Sequence, residues 1–185
     1  LSDWSSAVCS SDLLMAANPH HILLPVNVGF MATSVVAALA FNLLPWQDVR
    51  GVPDLLALVL VFWCVHQPRK MGIGIAWLLG LVMDTANGAL FGQHALAYAA
   101  LAYTAQGLHR RILSFPPWPQ ALHVLVLLLA SQLVMLAVRM LAGGTFPGTS
   151  YFFGSLVSAA LWPLATFILL APQRRPEEVD ETRPI

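Results

Sequence analysis

Asp84 is the position whose chemistry most needs explaining, because an ionisable side chain at the end of an apolar stretch is costly unless protein, water or the interface receives it. Gly72, Ala76 and Gly80 precede it at four-residue intervals, so all four fall on one face of a helix. Such a seam of small residues lets a neighbouring helix come close, and Asp84 then points toward the same neighbour, as a bundle or partner contact. The other reading is a solvated helix end, with Gly88 and Gly92 allowing a tight turn beyond it. His94 and Tyr98 share a face of the following segment and come near Asp84 if that turn is tight. An Asp84–His94 contact is then within reach, although a histidine satisfied separately at the interface is the commoner arrangement. Gln132 and Arg139 are seven residues apart, two helical turns, so they share a face expected to look inward, unless Arg139 snorkels to the headgroups. Pro53 and Asp54 suit a helix N-terminus, the proline in the first turn and the acid at the positive end of the helix dipole.

These residues form no catalytic set. The six histidines (20, 21, 66, 94, 109 and 123) are scattered, and no HExxH, GxSxG or phosphate-loop pattern occurs. Cys64 lies in an apolar run without a nearby base, and Cys9 lies in a polar one, so neither a disulfide framework nor a cysteine metal site can be built. A non-enzymatic protein without cofactor or metal is expected.

The elements that hold these positions are transmembrane helices. The chain is 58% hydrophobic and 10% charged with mean hydropathy +0.72, whereas a soluble domain carries roughly 25% charged residues. Nine Lys+Arg against nine Asp+Glu give no basic footprint for nucleic acid. A bilayer-crossing helix needs ~20 mostly apolar residues. Residues 28–44, 93–108, 121–140 and 151–170 meet this need, and residues 52–83 are broken by His66-Gln67-Pro68-Arg69-Lys70. A proline and two cations belong at a membrane surface, so this stretch reads as a hairpin of two spans. Each arm is short, ~21 Å for residues 52–65 against a hydrocarbon core of ~30 Å, so the arms either recruit flanking polar residues or form a re-entrant loop.

Six full spans with the N-terminus inside place Arg69, Lys70, Arg110, Arg111, Arg174, Arg175 and Arg183 on the inner side and leave Arg50 and Arg139 outside. Seven of nine cations on one face is the bias expected of cytoplasmic loops, so both termini are read as cytoplasmic. The expected fold is all-α: a polytopic bundle of about six transmembrane helices over residues 15–171, with a disordered cytoplasmic tail at residues 172–185. Trp46, Trp63, Trp77, Trp118 and Trp162 fall near span ends and read as interfacial anchors. Residues 1–14 are unlike the rest: Asp3-Trp4-Ser5-Ser6 and Val8-Cys9-Ser10-Ser11-Asp12-Leu13 match one reading frame of a common sequencing-library adapter. A non-native or disordered leader, with a natural start near Met15, is expected.

Several of these segments resemble the MreD family, the membrane subunit of the bacterial rod-shape (elongation) machinery. They are Pro53-Asp54-Leu55-Leu56, the turn from His66 to Gly74, Gly80-Leu81-Val82-Met83-Asp84, and Leu108-His109-Arg110-Arg111. The spacing of Asp84, Gly88 and Gly92-Gln93-His94-Ala95 is the most specific piece, and the similarity covers about residues 21–175. The resemblance implies a multi-pass inner-membrane scaffold that binds MreC and works with MreB, RodA and a penicillin-binding transpeptidase to support lateral peptidoglycan synthesis. It also implies a helix arrangement similar to the substrate-binding subunits of energy-coupling-factor transporters. The competing class is therefore a small-ligand, vitamin-type transporter subunit, which should show a polar pocket near the midplane. Ser131, Gln132, Ser158 and Thr104 are the few polar residues expected inside, and that scarcity favours the scaffold.

The loop charges predict topology. A reporter active only in the cytoplasm is expected to work when fused after Arg111 or Ile185, and one active only in the periplasm after Gly148. Periplasmic activity at Ile185 would rule out an even number of spans.

Overall fold

Two helices begin at a side chain that accepts their loose backbone N–H groups. Asn27 caps α1 (Val28–Asn42), its side chain accepting the Gly29 N–H at 2.9 Å. Asp54 caps α2 (Leu55–His66) through the Ala57 N–H at 2.9 Å. α3 (Ile73–Asn87) follows Gly72 and ends at Gly88, whose left-handed backbone (φ 59°) terminates the helix. α4 (Gln93–Leu113) starts at Gly92, also at positive φ. α5 (Pro117–Leu141) opens on prolines, where a missing N–H costs nothing. A 3-10 turn (Thr149–Phe152) leads into α6 (Phe153–Ala160), then α7 (Trp162–Leu170) and a last 3-10 turn (Ala171–Gln173). This computed structural model describes residues 27–44 and 51–173, all-α throughout. The leader at residues 1–14, Trp46 and all but the first two residues of the tail lie outside them.

The helix count differs from the sequence reading. The stretch expected as one span at residues 151–170 is two helices, and the segments either side of Leu161 are bent by 41°. Pro163, second in α7, lacks the N–H that would continue the ladder, which is the usual cause of such a kink. Among the described residues only Trp118–Leu141 is by itself long and apolar enough to cross a membrane, and the bent pair makes a second candidate. α1, α2 and α3 are apolar but shorter.

The short helix α2 is the centre of the bundle. Leu56, Ala57, Leu58 and Leu60 through Val65 are all buried, and α1, α4, α5, α6 and α7 pack around it. A helix hidden on every side is apolar on every side, so it shows no amphipathic stripe. α3 lies at the periphery and packs on α4 through Ala76, Gly80, Met83 and Asp84. Gly80 sits so close to α4 that a Cβ there would overlap the Cα and N of Ala95 and the carbonyl carbon of His94. Ala95, Ala97, Ala102 and Ala105 on α4 are buried, small enough to let its neighbours close in.

The outside is apolar. Trp77, Leu78 and Val82 on α3, Trp118, Leu122, Val126 and Leu133 on α5, and Phe153, Leu164, Phe167 and Ile168 on α6 and α7 are exposed. Two tryptophans expected at the interface are instead core. Trp63 and Trp162 are fully buried, with indole N–H groups donating to Ser34 Oγ at 2.9 Å and Gln120 Oε1 at 3.2 Å. Each buried indole has found the partner it needs, which a membrane interface would otherwise supply. Thr104, expected inside, is exposed and bonds back to the Ala100 carbonyl at 2.9 Å.

The Gly80 contact is with backbone, which cannot rotate away. Gly80→Leu is expected to destabilise the bundle by ~3 kcal/mol or more, read as lost abundance and a lowered detergent unfolding midpoint. Leu79→Ile, of equal volume, should leave both near the parent. A Gly80→Leu protein as stable as the parent would show that α3 and α4 do not meet there.

Candidate functional site

The polar residues gather at one end of the bundle, where α1 ends, α2 and α4 begin and α3 ends. Asp84 is 1% exposed, and its carboxylate faces the first turn of α4. The Gly92 N–H donates to Oδ2 at 2.9 Å, the His94 N–H to Oδ1 at 2.8 Å and the Ala95 N–H to Oδ2 at 3.3 Å. The His94 ring Nδ1 lies 2.7 Å from Oδ1. Asp84 therefore caps α4 from the neighbouring helix, because Gly92 has no side chain to do so. Its own carbonyl accepts the N–H groups of Gly88 and Ala89. Gly88 to Gly92 make the tight turn, and both glycines hold left-handed backbone that a side chain would strain. The His94 ring meets the Asp84 carboxylate rather than being satisfied alone at an interface, and its edge packs on Tyr98 at 6.0 Å between centroids.

Asp54 makes a second polar knot. It is the cap residue itself, so Pro53 lies one position outside α2 instead of in its first turn. Besides the Ala57 N–H, Oδ1 accepts from the Asn42 amide at 2.7 Å, and Oδ2 accepts from the Tyr98 hydroxyl at 2.9 Å. Asn42 returns the contact by accepting the Leu55 N–H at 3.2 Å. Asp54 thus ties α1, α2 and α4 together, more than its place at a helix start implied. Asn42 and Tyr98 went unremarked as its partners, although Asn42 is the one amide in the first apolar span and Tyr98 sits one turn beyond His94.

Gln132 does face inward. Its Nε2 is 3.4 Å from the Tyr151 carbonyl, and its Oε1 is buried without a partner among the described residues. Arg139, two turns on, is half-buried beside the helix end; the Gly144 N–H closes on its carbonyl at 2.9 Å, and a Cβ on Gly144 would overlap its Cγ. Gln132 lines a cavity of about 360 Å³ with Asp54, His94, Ser150 and Tyr151, walled by Met135 and Gly154. Ser155, Ser158 and Thr166 are buried with hydroxyls that have no partner among the described residues, and Gln120 is buried under Trp162; of these only Ser158 was expected inside. No group of three or more His, Cys, Asp or Glu side chains able to hold a metal occurs among the described residues.

An all-α bundle whose apolar residues face outward while its carboxylates are hydrogen-bonded between helix ends has the build of a helical membrane protein. The sequence family of the rod shape-determining protein MreD matches residues 25–171, and the chain belongs to that family. It is 30% identical over 144 residues to the rod shape-determining protein MreD of Haemophilus influenzae (strain ATCC 51907 / DSM 11121 / KW20 / Rd), covering 76% of this chain and 87% of that one. No solved structure matches the chain.

Three backbone donors on one carboxylate change what Asp84→Asn should do. An amide is cheaper to bury, which favours tolerance, but Asn brings an NH2 into a site built of N–H donors. The variant is expected to lose ~1–3 kcal/mol, seen as a lowered unfolding midpoint. Tyr98→Phe, which removes one donor from Asp54, should cost ~1–2 kcal/mol by the same measurement. A midpoint unchanged in Asp84→Asn would mean that water, not α4, holds the carboxylate.

Proposed function

We propose that this chain is a non-enzymatic, multi-pass inner-membrane scaffold of the cell-elongation complex, which binds MreC and so links MreB, RodA and a penicillin-binding transpeptidase to lateral wall synthesis. The observation that carries the membrane part is the inverted surface: large apolar side chains outside, Asp84, Ser131, Ser155 and Ser158 inside. Family membership carries the rod-shape part. Six crossings follow if the short α2 and α3 count as full spans. In support, Gln106 on α4 bonds the Met71 carbonyl at one end, and His94 meets Asp84 at the other, so α3 runs alongside α4 from His94 to Gln106. Arg69 and Lys70 of the α2–α3 turn are exposed, as are Arg110 and Arg111 at the end of α4, the same end of the bundle. That is the cytoplasmic end in this reading.

The partner surface is expected on α3, which among the described residues packs mainly on α4 and leaves Ile73, Ile75, Trp77, Leu78 and Val82 exposed. A single apolar helix such as the MreC span fits a free helix face of this kind. The transporter-subunit alternative draws only on the cavity, which is lined by the approaches to α2 and α6 and the start of α4 together with Gln132 and Met135 of α5.

Co-purification from detergent tests the reading. The parent chain should recover MreC, and Trp77→Ala/Leu78→Ala should lower that recovery several-fold at unchanged abundance. Both should move together with cell-shape complementation in a strain lacking the relative. Recovery of the chain from the soluble fraction would refute the membrane assignment, and full MreC recovery by the double variant would refute the surface.

A further inference from the structure

One hydrogen bond fixes the α2–α3 turn to the last turns of α4. Gln106 Nε2 donates to the Met71 carbonyl at 2.6 Å, and Met71 itself is 1% exposed. The turn is also closed from within, since the Lys70 and Met71 N–H groups both reach the Gln67 carbonyl, at 3.0 and 3.1 Å. Arg69 stands exposed on this held turn. On α4, Arg110 follows Gln106 by four residues, ~6 Å further along the axis and ~40° round it, so it lies on the side of α4 that meets the turn. Arg69 and Arg110 thus sit on the two segments that the Gln106–Met71 contact joins. Arg111, ~140° round from Gln106, lies on another side of the helix.

No carboxylate among the described residues answers these arginines. Asp54 and Asp84 are the only acidic side chains there, and both are hydrogen-bonded at the far end, where ~24 Å of α4 separates His94 from Arg110. Toward the middle of the bundle the surface beside the arginines turns apolar, with Ile73, Ile75 and Trp77 of α3 and Tyr103 of α4 exposed. Tyr103 is two turns before Arg110 and shares its face. Gly107, between them, is exposed and has open space where a side chain would stand. Guanidinium groups at the edge of an exposed apolar surface match a molecule with an anionic head and an apolar body.

We propose that this corner holds the phosphate headgroup of an anionic phospholipid, with Arg69 on one flank, Arg110 on the other, and the acyl chains along Tyr103, Ile73 and Ile75. It rests on the membrane assignment and not on the partner; a chain recovered with membranes yet indifferent to lipid charge fails here alone. A planar guanidinium grips two phosphate oxygens at once, whereas an ammonium acts as a point charge, so the site depends on arginine and not on charge alone.

The test places the full chain in phosphatidylcholine nanodiscs with half of the lipid replaced by phosphatidylglycerol. The readout is the ratio of the two lipids retained through detergent extraction, with the thermal midpoint as the check on folding. The parent should retain phosphatidylglycerol over phosphatidylcholine, and equal retention overturns the proposal. Arg69→Gln and Arg110→Gln should each cut the ratio by about tenfold, as loss of a hydrogen bond to a charged group does. Arg111→Gln removes the same charge from another side of α4 and should leave the ratio within ~twofold, because a solvated charge that makes no contact is screened. An anionic leaflet attracting the end of the bundle without a site would weigh the three arginines alike, at ~fivefold each, and that pattern overturns the proposal. So does an undiminished ratio in Arg69→Lys/Arg110→Lys, which keeps both charges and loses both forks. These variants change exposed side chains, so their midpoints in phosphatidylcholine alone should match the parent's. Inorganic phosphate raising the midpoint as far as phosphatidylglycerol does, with no lipid retained, would give the site to a soluble anion and overturn the lipid assignment.

Discussion

A helix that begins at Gly92 presents backbone N–H groups that its own cap residue cannot satisfy, because glycine has no side chain and φ of 98° strains any residue that has one. In an apolar setting these donors cannot be left to water, so something must be brought to them. Asp84 is brought, and much of the bundle follows from that placement. Holding the carboxylate against the N–H groups of residues 92, 94 and 95 draws the end of α3 onto the start of α4. The two helices then touch one turn earlier, where only the absent side chain of Gly80 allows Ala95 to pass. One turn further along α4, Tyr98 arrives beneath Asp54, and Asp54 reaches Asn42. A single cap thus registers four helices through two carboxylates.

The same economy explains α2. Twelve residues rise ~18 Å, too little to cross a bilayer core of ~30 Å unaided. α2 does not face the bilayer, however; its neighbours do, and α5 at 25 residues is long enough to set the thickness. Being wrapped on all sides frees α2 from matching the membrane and obliges it to satisfy every polar group within protein. Asp54 does this at its start and His66 at its end, where Nδ1 lies 2.9 Å from the Phe62 carbonyl. Trp63 does it in between, through Ser34.

What could be read in the sequence was what spacing encodes. The four-residue interval of Gly72, Ala76, Gly80 and Asp84 marked a close helix seam, and three of the four positions are buried in it; Gly72 is not, because it is the cap ahead of the helix. The all-α class followed from composition. Less legible was anything that depends on which side of an all-apolar helix faces protein. Trp63 and Trp162 sit near segment ends, where a tryptophan at an interface and a tryptophan in the core look alike; only Ser34 and Gln120, distant in sequence, separate the two. Asp54 looked like a local feature of a helix start because its strongest ties, to Asn42 and Tyr98, come from other helices. The bend at Leu161 was signalled by Pro163, yet the unbroken hydropathy of residues 151–170 hid it.

The two ends of the bundle treat charge in opposite ways, and this follows from which groups are available to answer it. At the Asp54–Asp84 end the charges are negative, and helix N-termini answer them: α2 and α4 both begin there, with backbone N–H groups pointing outward at the positive ends of their dipoles. A carboxylate can be buried at such an end without a cation beside it. At the opposite end, beside the starts of α3 and α5, lie the C-termini of α2 and α4, whose carbonyls favour positive charge. Arg69, Lys70, Arg110 and Arg111 stand there exposed, where solvent or anionic headgroups can reach them. The direction in which α2 and α4 run, both starting at the acidic end, therefore accounts for the two buried carboxylates at one end and the four exposed bases at the other, though not for Arg139, which is half-buried in the last turn of α5.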